Sequence, residues 1–309
     1  MDPLTALLEG PRAHGAFLLR SVLGPPWSLR IEDEAPLTVL AVVRGDAWLV
    51  PDADEPVRLG AGDVAVLRGP EPYLVADDPG TPPQAVIQPG QICVTPDGGH
   101  LADLTELGIR TWGSSLDGPT VLLTGTYPTV GEVSRRLLAA LPAVVTAETA
   151  SDPLVALLAE EIERDVPGQE AVLDRLLDLL LVRVLRDWLG RPAAPAWYRA
   201  HRDPVAGHAL RLLQDQPDRP WTVAGLATAT GVSRAALARR FTDAVGEPPM
   251  AYLSSWRLAL AADLLRQHPD ATLGAIARQV GYRSPFALSA AFKREYGRSP
   301  QHYRLREPA

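Results

Sequence analysis

Short runs of apolar residues, separated by glycine, proline and aspartate, occupy the chain from about residue 15 to residue 126. They include "LTVLAVVRGDAWLV", "VRLGAGDVAVL", "QAVIQPGQICV" and "TVLLTGT". Runs of this length are typical of β-strands, and the spacers are too short and too rich in turn residues to contain helices. The pattern therefore predicts a mainly β barrel rather than a mixed α/β sheet.

After residue 130 the apolar residues recur at intervals of three and four, as they do in amphipathic helices. The segments are "GEVSRRLLAALPAVV", "DPLVALLAEEIERDV" and "EAVLDRLLDLLLVRVLRDWL". The third segment is apolar on more than one face, so it must be buried either in its own domain or against a second copy of the chain. The sequence leaves both arrangements open.

The stretch "LGRPAAPAWYRAHRDP", from 189 to 204, is rich in proline and has no regular period, which predicts a linker. Everything beyond it has helical periodicity. We therefore expect a β domain with its trailing helices over residues 1–190, a linker over 191–203 and an all-α domain over 204–309.

The all-α segment repeats itself. "TVAGLATATGVSRAALARRFTDAVGEPPMAY" from Thr222 aligns with "TLGAIARQVGYRSPFALSAAFKREYGRSPQHY" from Thr272. Each copy has an apolar helix, a turn glycine, a serine that can cap the next helix and a second helix, which is the layout of a helix-turn-helix. No helix breaker occurs between the copies before Pro269, so a single connecting helix over about 250–267 is expected.

Charge is distributed unevenly along the chain. The whole chain has a formal net charge of −7, but residues 204–309 contain 14 basic and 8 acidic residues, a net charge of +6. The first 203 residues therefore have a net charge of −13. A basic segment in an otherwise acidic chain is typical of a nucleic-acid-binding end, so the repeat is predicted to bind double-stranded DNA.

The second helix of each repeat can be divided into an inner and an outer face. Leu237 and Phe241 are four residues apart and are expected to face the core, as are Leu288 and Phe292 in the second copy. The opposite faces are then available to a DNA groove.

Arg239 on the first outer face suits a bidentate contact to guanine. Phe286 on the second either touches a thymine methyl group or packs inward, and the sequence leaves this open. Flanking basic residues suit phosphates, which contribute affinity rather than sequence choice. The candidates for base contacts are Arg239, Ala235, Thr242, Phe286 and Ser289, and those for phosphate contacts are Arg234, Arg240, Arg283, Ser284, Lys293 and Arg294.

With "GYRSPFALSAAFKREYGRSPQHYR" at 281–304, the double motif resembles the C-terminal signature of the AraC/XylS family of transcriptional regulators, over about residues 204–306. The resemblance implies two recognition helices in successive major-groove segments of one DNA face, held apart by the connecting helix. The family often has arginine where this chain has Ala290.

The N-terminal part is similar to the cupin-type sensor domain of one branch of that family, on "VVRGDAWLV", "VRLGAGDVAVLRGPEPYLVADDP" and "VLLTGTY". This resemblance implies a module that binds an effector or dimerises, and Trp48 and Tyr73 are the candidates for its pocket. The expected function is a sequence-specific transcription regulator that is not an enzyme and needs no cofactor. Its expected partners are double-stranded DNA, a small-molecule effector, a second copy of the chain and RNA polymerase.

Two alternatives compete with a regulator controlled by an effector. A metal-dependent cupin enzyme needs clustered histidines, but Tyr73 stands where a histidine is common and the six histidines form no ligand pair, so no metal site is predicted. A redox regulator would act through Cys93, the only cysteine, although a lone cysteine on a strand is more often a small buried apolar residue.

The N-terminus has acidic residues before any basic one and no long apolar stretch, which is unlike a secretory signal. The most apolar segment, at 171–189, is interrupted by charged residues that would be costly in a membrane, among them Asp174, Arg175, Asp178, Arg183 and Arg186. The expected location is the cytoplasm, with no membrane partner.

Overall fold

The computed structural model of the chain describes residues 17–99, 101, 104–127, 131–139, 141–148, 153–191 and 196–305. They fall into two compact units. The β unit contains described residues 17–127, 141–148 and 153–191, and the all-α unit contains 131–139 and 196–305. Residues 192–195 of the predicted linker and the ends of both predicted domains lie outside the described residues.

The β unit has two mostly antiparallel sheets, and residues of both sheets contribute to one apolar core. The described strands are β1 (Phe17–Leu23), β2 (Ser28–Ile31), β3 (Leu37–Arg44), β4 (Asp46–Pro51), β5 (Val57–Gly60), β6 (Asp63–Arg68), β7 (Tyr73–Ala76), β8 (Ala85–Gln88), β9 (Ile92–Val94), β10 (Thr105–Gly108), β11 (Thr111–Gly113), β12 (Thr120–Tyr127) and β13 (Val144–Glu148). The larger sheet has the strand order β10-β11-β1-β12-β3-β6-β13 and the smaller has β5-β4-β7-β2-β8-β9.

The helices begin after β12, as the change of period predicts. The predicted combination of a mainly β domain with trailing helices and an all-α double helix-turn-helix is confirmed. The described helices are α1 (Glu132–Leu138), α2 (Pro153–Glu161), α3 (Gln169–Gly190), α4 (Ala196–Arg202), α5 (Ala206–Asp215), α6 (Val223–Thr230), α7 (Arg234–Val245), α8 (Pro249–Gln267), α9 (Leu273–Gln279), α10 (Pro285–Tyr296) and α11 (Pro300–Arg304).

Within the β unit, helix α3 packs against strand β12, and apolar residues on its other face are exposed to solvent. Its Leu177 is buried, and a Cβ atom on Gly125 of β12 would lie 2.5 Å from the Leu177 methyl groups, so this glycine permits the close approach. On the other side, the exposed fractions of Val172 and Leu179 are 44% and 47%. The helix therefore belongs to the core of its own unit, and its second face is exposed in the described part of the chain.

The segment predicted to be an irregular linker contains helix α4. Ala200 of this helix is buried, and the backbone approaches helix α5 so closely that a Cβ atom on Gly207 would lie 2.3 Å from the His201 carbonyl oxygen. Asp203 then caps α5, because its carboxylate accepts from the backbone N–H groups of Val205 and Ala206, both at 2.8 Å. Tertiary packing thus orders a segment whose prolines suggested a loop.

The two helix-turn-helix motifs have equivalent local contacts. Thr222 and Thr272 cap α6 and α9 by accepting from backbone N–H groups at 3.0 and 3.2 Å. The aromatic packing also repeats, because Phe241 meets Tyr252 edge to face at 5.9 Å between ring centroids and the equivalent pair in the second motif is 5.2 Å apart. The connecting helix α8 spans Pro249–Gln267, close to the predicted 250–267.

Helix α1 differs from the predicted domain boundary, because it packs within the all-α unit although the preceding and following strands belong to the β unit. Asp263 of α8 accepts from the backbone N–H groups of Glu132 and Val133 at 2.6 and 3.1 Å. The Glu132 carboxylate in turn accepts from the Tyr303 hydroxyl at 2.5 Å. Glu132 and Asp263 are 131 residues apart, and a contact at that separation leaves no signal in local periodicity. The sequence alone therefore predicts that α1 belongs to the first domain.

Candidate nucleic-acid interface and ligand cavity

Helices α7 and α10 are fixed in the all-α unit by their inner faces. Leu237 and Phe241 of α7 are fully buried, as are Leu288 and Phe292 of α10, which confirms the predicted inner faces. Each helix starts at a capping serine, which accepts from a backbone N–H group at 3.2 Å. The caps and the buried faces together fix which side chains point outward.

The outer face of α7 contains exposed Ala235 and Arg239, with Thr242 half-buried beside them. Arg234 at the start of the helix is exposed as well. Arg240 differs from them because its guanidinium forms an ion pair with Asp203 at 3.1 Å. A phosphate would have to compete with that carboxylate for Arg240.

The outer face of α10 is less polar than that of α7. Phe286 has an exposed fraction of 84%, so of the two arrangements left open by the sequence the structure has the outward one. Ala290 beside it is exposed, and Ser289 is half-buried.

The candidate phosphate-binding residues of the second motif surround this apolar face. Arg283, Lys293 and Arg294 are exposed, whereas the Ser284 hydroxyl already accepts the capping hydrogen bond from the backbone N–H of Ala287. Both motifs thus present basic side chains around an outward helix face.

The β unit contains a half-open cavity of about 310 Å³ that is lined by residues of both sheets. Tyr73 contributes to the lining, but Trp48 does not, since among the described residues of β4 it is Ala47 and Leu49 that point into the core. The lining residues are Leu19, Ser21, Leu29, Ile31, Asp33, Tyr73, Ile87, Gln91, Cys93, Glu106, Gly108, Arg110, Thr111, Trp112, Thr124 and Thr126.

Sequence reasoning missed most of this lining. The strand order that brings β1, β2, β8, β9, β11 and β12 together is not visible in any local pattern. For Tyr73 the sequence offers one partial signal, because this residue follows a turn after which similar sensor domains commonly have a histidine. Asp33, Gln91 and Arg110 lie in or beside turns, and no spacing of residue types singled them out.

Two titratable groups of the cavity are strongly affected by burial. Burial, and secondarily the charge of Asp33, raises the pKa of Tyr73 well above its ordinary value, so the phenol stays protonated. Burial also raises the pKa of the Cys93 thiol to about 11. Because the thiolate is the reactive form, this environment suppresses the redox chemistry considered for Cys93.

Among the described residues, no group of three or more histidine, cysteine, aspartate or glutamate side chains is arranged to hold a metal ion. In the same part of the chain, no helix combines the length and the apolar character needed to cross a membrane.

Comparison with known proteins gives matches over nearly the whole chain. Residues 2–190 match a family model described as Cupin, and residues 226–306 match one described as Helix-turn-helix domain. A putative AraC-like transcription regulator of Streptomyces lividans is 36% identical over 314 residues, which covers 98% of each chain. The HTH-type transcriptional regulator AlkR of Acinetobacter baylyi is 27% identical over 98% of this chain and 99% of its own length.

Among solved structures, the DNA-binding domain of AdpA in complex with a target DNA is 32% identical, covering 33% of this chain and 90% of that one with a TM-score of 0.31. Both full-length relatives are named as transcription regulators. On its cupin and helix-turn-helix matches and these relatives, the chain belongs to the AraC family of DNA-binding transcription regulators.

Proposed function

We propose that α7 and α10 bind successive major-groove segments of one operator and that a small-molecule effector in the cavity of the β unit controls this binding. The observation that carries the proposal is the pair of serine-capped helices whose inner faces are buried and whose outer faces carry Arg239 and Phe286. Helices presented in this way suit the width of the major groove.

Base reading is assigned mainly to α7. Arg239 is exposed and has the planar fork that fits the O6 and N7 atoms of guanine, with Ala235 and Thr242 on the same face. On α10, the exposed ring of Phe286 suits the methyl group of thymine, and Ser289 can exchange a hydrogen bond with either kind of base edge. The second motif therefore reads fewer hydrogen-bonding groups than the first.

Phosphate binding is assigned to the basic residues around both helices. Their contribution is electrostatic, does not depend on base sequence and weakens with added salt. Because the Asp203 carboxylate is its present partner, Arg240 would contribute less than the others. The assigned residues are Arg234, Arg240, Arg283, Ser284, Lys293 and Arg294.

Control by an effector is supported by the cavity, whose volume and mixed lining suit a small organic molecule. Homodimerisation is supported by the exposed apolar residues Val172 and Leu179 of α3 and Leu157 of α2. A regulator of this kind would act on DNA in the cytoplasm, and RNA polymerase would be its partner at activated promoters.

Arg239→Ala is expected to relax base preference at one position of the operator. Losing a bidentate contact removes about 1–3 kcal/mol of discrimination between the right and the wrong base. The measurement is a titration of the full chain against an operator selected from random duplexes and against its single-base variants. Unchanged preference at every position would contradict the assignment.

Lys293→Ala serves as the matched comparison, because Lys293 is also exposed on a recognition helix but is assigned to a phosphate. We expect affinity to fall about equally for all duplexes, and the slope of log K against log salt to become shallower by about one unit. An unaltered salt slope would exclude this phosphate contact.

A further inference from the structure

The Asp33 carboxylate lines the cavity of the β unit and forms no ion pair with a described residue. The Asp33 carboxylate accepts from the backbone N–H of Ala35 and from the Gln91 side-chain amide, both at 3.1 Å, and neither donor is charged. The other two charged lining residues, Glu106 and Arg110, lie on the β10–β11 hairpin and have opposite charges. The three charged lining residues therefore have a formal net charge of −1.

The backbone around this carboxylate is held in an unfavourable conformation. Gln91 and Arg110 line the cavity with φ values of 62° and 47°, and Glu34 follows Asp33 with a φ of 55°. Non-glycine residues rarely adopt positive φ, and where they do they cluster at binding sites. The conformation presents Asp33 and its amide partner at the wall of the cavity.

The rest of the lining is suited to an apolar body. Aliphatic side chains come from β1, β2 and β8, and the rings of Tyr73 and Trp112 offer faces that attract a cation. A volume of about 310 Å³ corresponds to roughly ten water molecules in the liquid, and so to a ligand of about ten non-hydrogen atoms. The net charge of −13 on the first 203 residues also attracts cations.

We propose that the effector is a small amphipathic amine whose ammonium group pairs with Asp33 while its apolar body fills the cavity. This inference rests on the proposed function, in which the cavity holds the effector. An anionic ligand would meet an uncompensated carboxylate, and a neutral one would leave that carboxylate desolvated without a counter-charge.

The test compares three molecules of one skeleton with the full chain by calorimetry: 4-phenylbutylamine, 4-phenylbutanol and 4-phenylbutyrate. The amine is expected to bind at least about tenfold more tightly than the other two, and Asp33→Asn is expected to remove that advantage. Glu32→Gln is the matched control, since Glu32 pairs with Arg30 and does not line the cavity; it should leave the amine affinity unchanged.

If the butyrate bound more tightly than the amine and Arg110→Gln removed that binding, the effector would not be an amine. The cavity would still be the effector site. Failure of all three molecules to bind would also overturn the amine class. Neither result would touch the DNA-reading assignment, which the Arg239→Ala titration tests separately.

A second inference comes from helix α1. In the first motif the Tyr252 hydroxyl accepts from the Gln214 amide of α5 at 2.7 Å, and in the second motif the equivalent Tyr303 hydroxyl donates to Glu132 of α1 at 2.5 Å. Helix α1 therefore supplies, in the second motif, the hydrogen-bonding partner of this tyrosine that α5 supplies in the first. Arg266 of α8 lies over the Tyr303 ring and approaches the same Glu132 carboxylate at 3.9 Å.

In the sequence, helix α1 comes shortly after strand β12, which forms part of the cavity wall. Thr124 and Thr126 of β12 line the cavity, and α1 begins six residues after Thr126. The Asp263 carboxylate fixes the first turn of α1 through two backbone N–H groups. A shift of β12 caused by an occupied cavity would therefore act on a helix that is part of the second motif.

We infer that occupancy of the cavity reaches the second recognition helix through α1, while the first recognition helix is affected less. This also rests on the proposed control by an effector. The effect is expected to be confined to the second motif. In the first motif the equivalent tyrosine bonds to α5, and α5 does not directly follow a strand that lines the cavity.

The test places a fixed occupant in the cavity by alkylating Cys93, the only cysteine, in the full chain with iodoacetamide at about pH 9, where a thiol with a pKa of about 11 is still partly ionised. Mass spectrometry confirms complete labelling, and amide hydrogen exchange is then compared with and without the label. Exchange in residues 285–296 is expected to change by at least about threefold while that in 234–245 stays constant. Asp263→Ala should abolish the difference, and Asp243→Ala, an exposed carboxylate of α7, should not.

An equal change in both recognition helices would overturn the route through α1 and leave control by the cavity intact. No change in either helix would overturn both the route and control by the effector. Cys93→Ala, which cannot be alkylated, identifies any effect of the reagent elsewhere.

Discussion

Gly281→Ala is expected to lower the free energy of unfolding of the all-α unit by about 2–5 kcal/mol, while Gly231→Ala, at the equivalent turn of the first motif, lowers it by about 1–2 kcal/mol. Both glycines have positive φ, 82° and 70°, so both substitutions incur the backbone cost. A Cβ atom at 281 would also lie 2.7 Å from the Pro217 carbonyl oxygen and from the Asp218 Cα atom, whereas at 231 it would meet open space.

The measurement is native-state hydrogen exchange of the full chain, read at amides of α9 and α10 for one variant and of α6 and α7 for the other. Equal losses of stability would show that the backbone around Pro217 can move away from the new methyl group. The pair is informative because the sequence treats the two glycines as equivalent, and only the packing of the second motif distinguishes them.

Phe292→Ala is expected to destabilise the all-α unit by about 3–5 kcal/mol. The Phe292 ring is fully buried, with its centroid 4.5 Å from that of Tyr296 and 5.2 Å from that of Tyr303, so truncation leaves a cavity at the centre of the second motif. The measurement is urea unfolding of the full chain, followed by probes in both units.

Phe286→Ala is the matched control on the same helix. With 84% of its surface exposed, Phe286 should change the free energy of unfolding by less than about 0.5 kcal/mol, while operator affinity falls. A large loss of stability in Phe286→Ala would mean that the ring packs inward in solution and would remove it from the readout assignment.

The all-α unit was predictable because its signals are local. Capping residues, turn glycines and four-residue apolar spacing lie within a few positions of one another, and the repeat presents them twice. Phe241 and Phe292 were assigned to the core on that spacing alone, and both are fully buried. Local propensity and tertiary packing agree in this unit, which is the condition under which sequence reasoning succeeds.

The cavity was not predictable because its wall is assembled by strand pairing. The sequence predicts Trp48 and Tyr73 as aromatic residues of the pocket, yet of these two only Tyr73 lines the cavity, because the alternation in β4 directs Ala47 and Leu49 to the core instead. The positive φ of Gln91 and Arg110 has no sequence signature, since neither residue is glycine or asparagine.

The placement of α1 bears on how regulators of this kind can recombine. A chimera joined at residues 191–203 would combine one regulator's residues 131–139 with another's α8 and α11. The half-buried Asp263 carboxylate, whose pKa is raised by its partial burial, would then face a foreign helix start, and the Tyr303 hydroxyl would face a foreign side chain. Domain exchange at the linker alone therefore breaks a unit, and a functional hybrid must inherit residues 131–139 together with the DNA-binding end of the same parent.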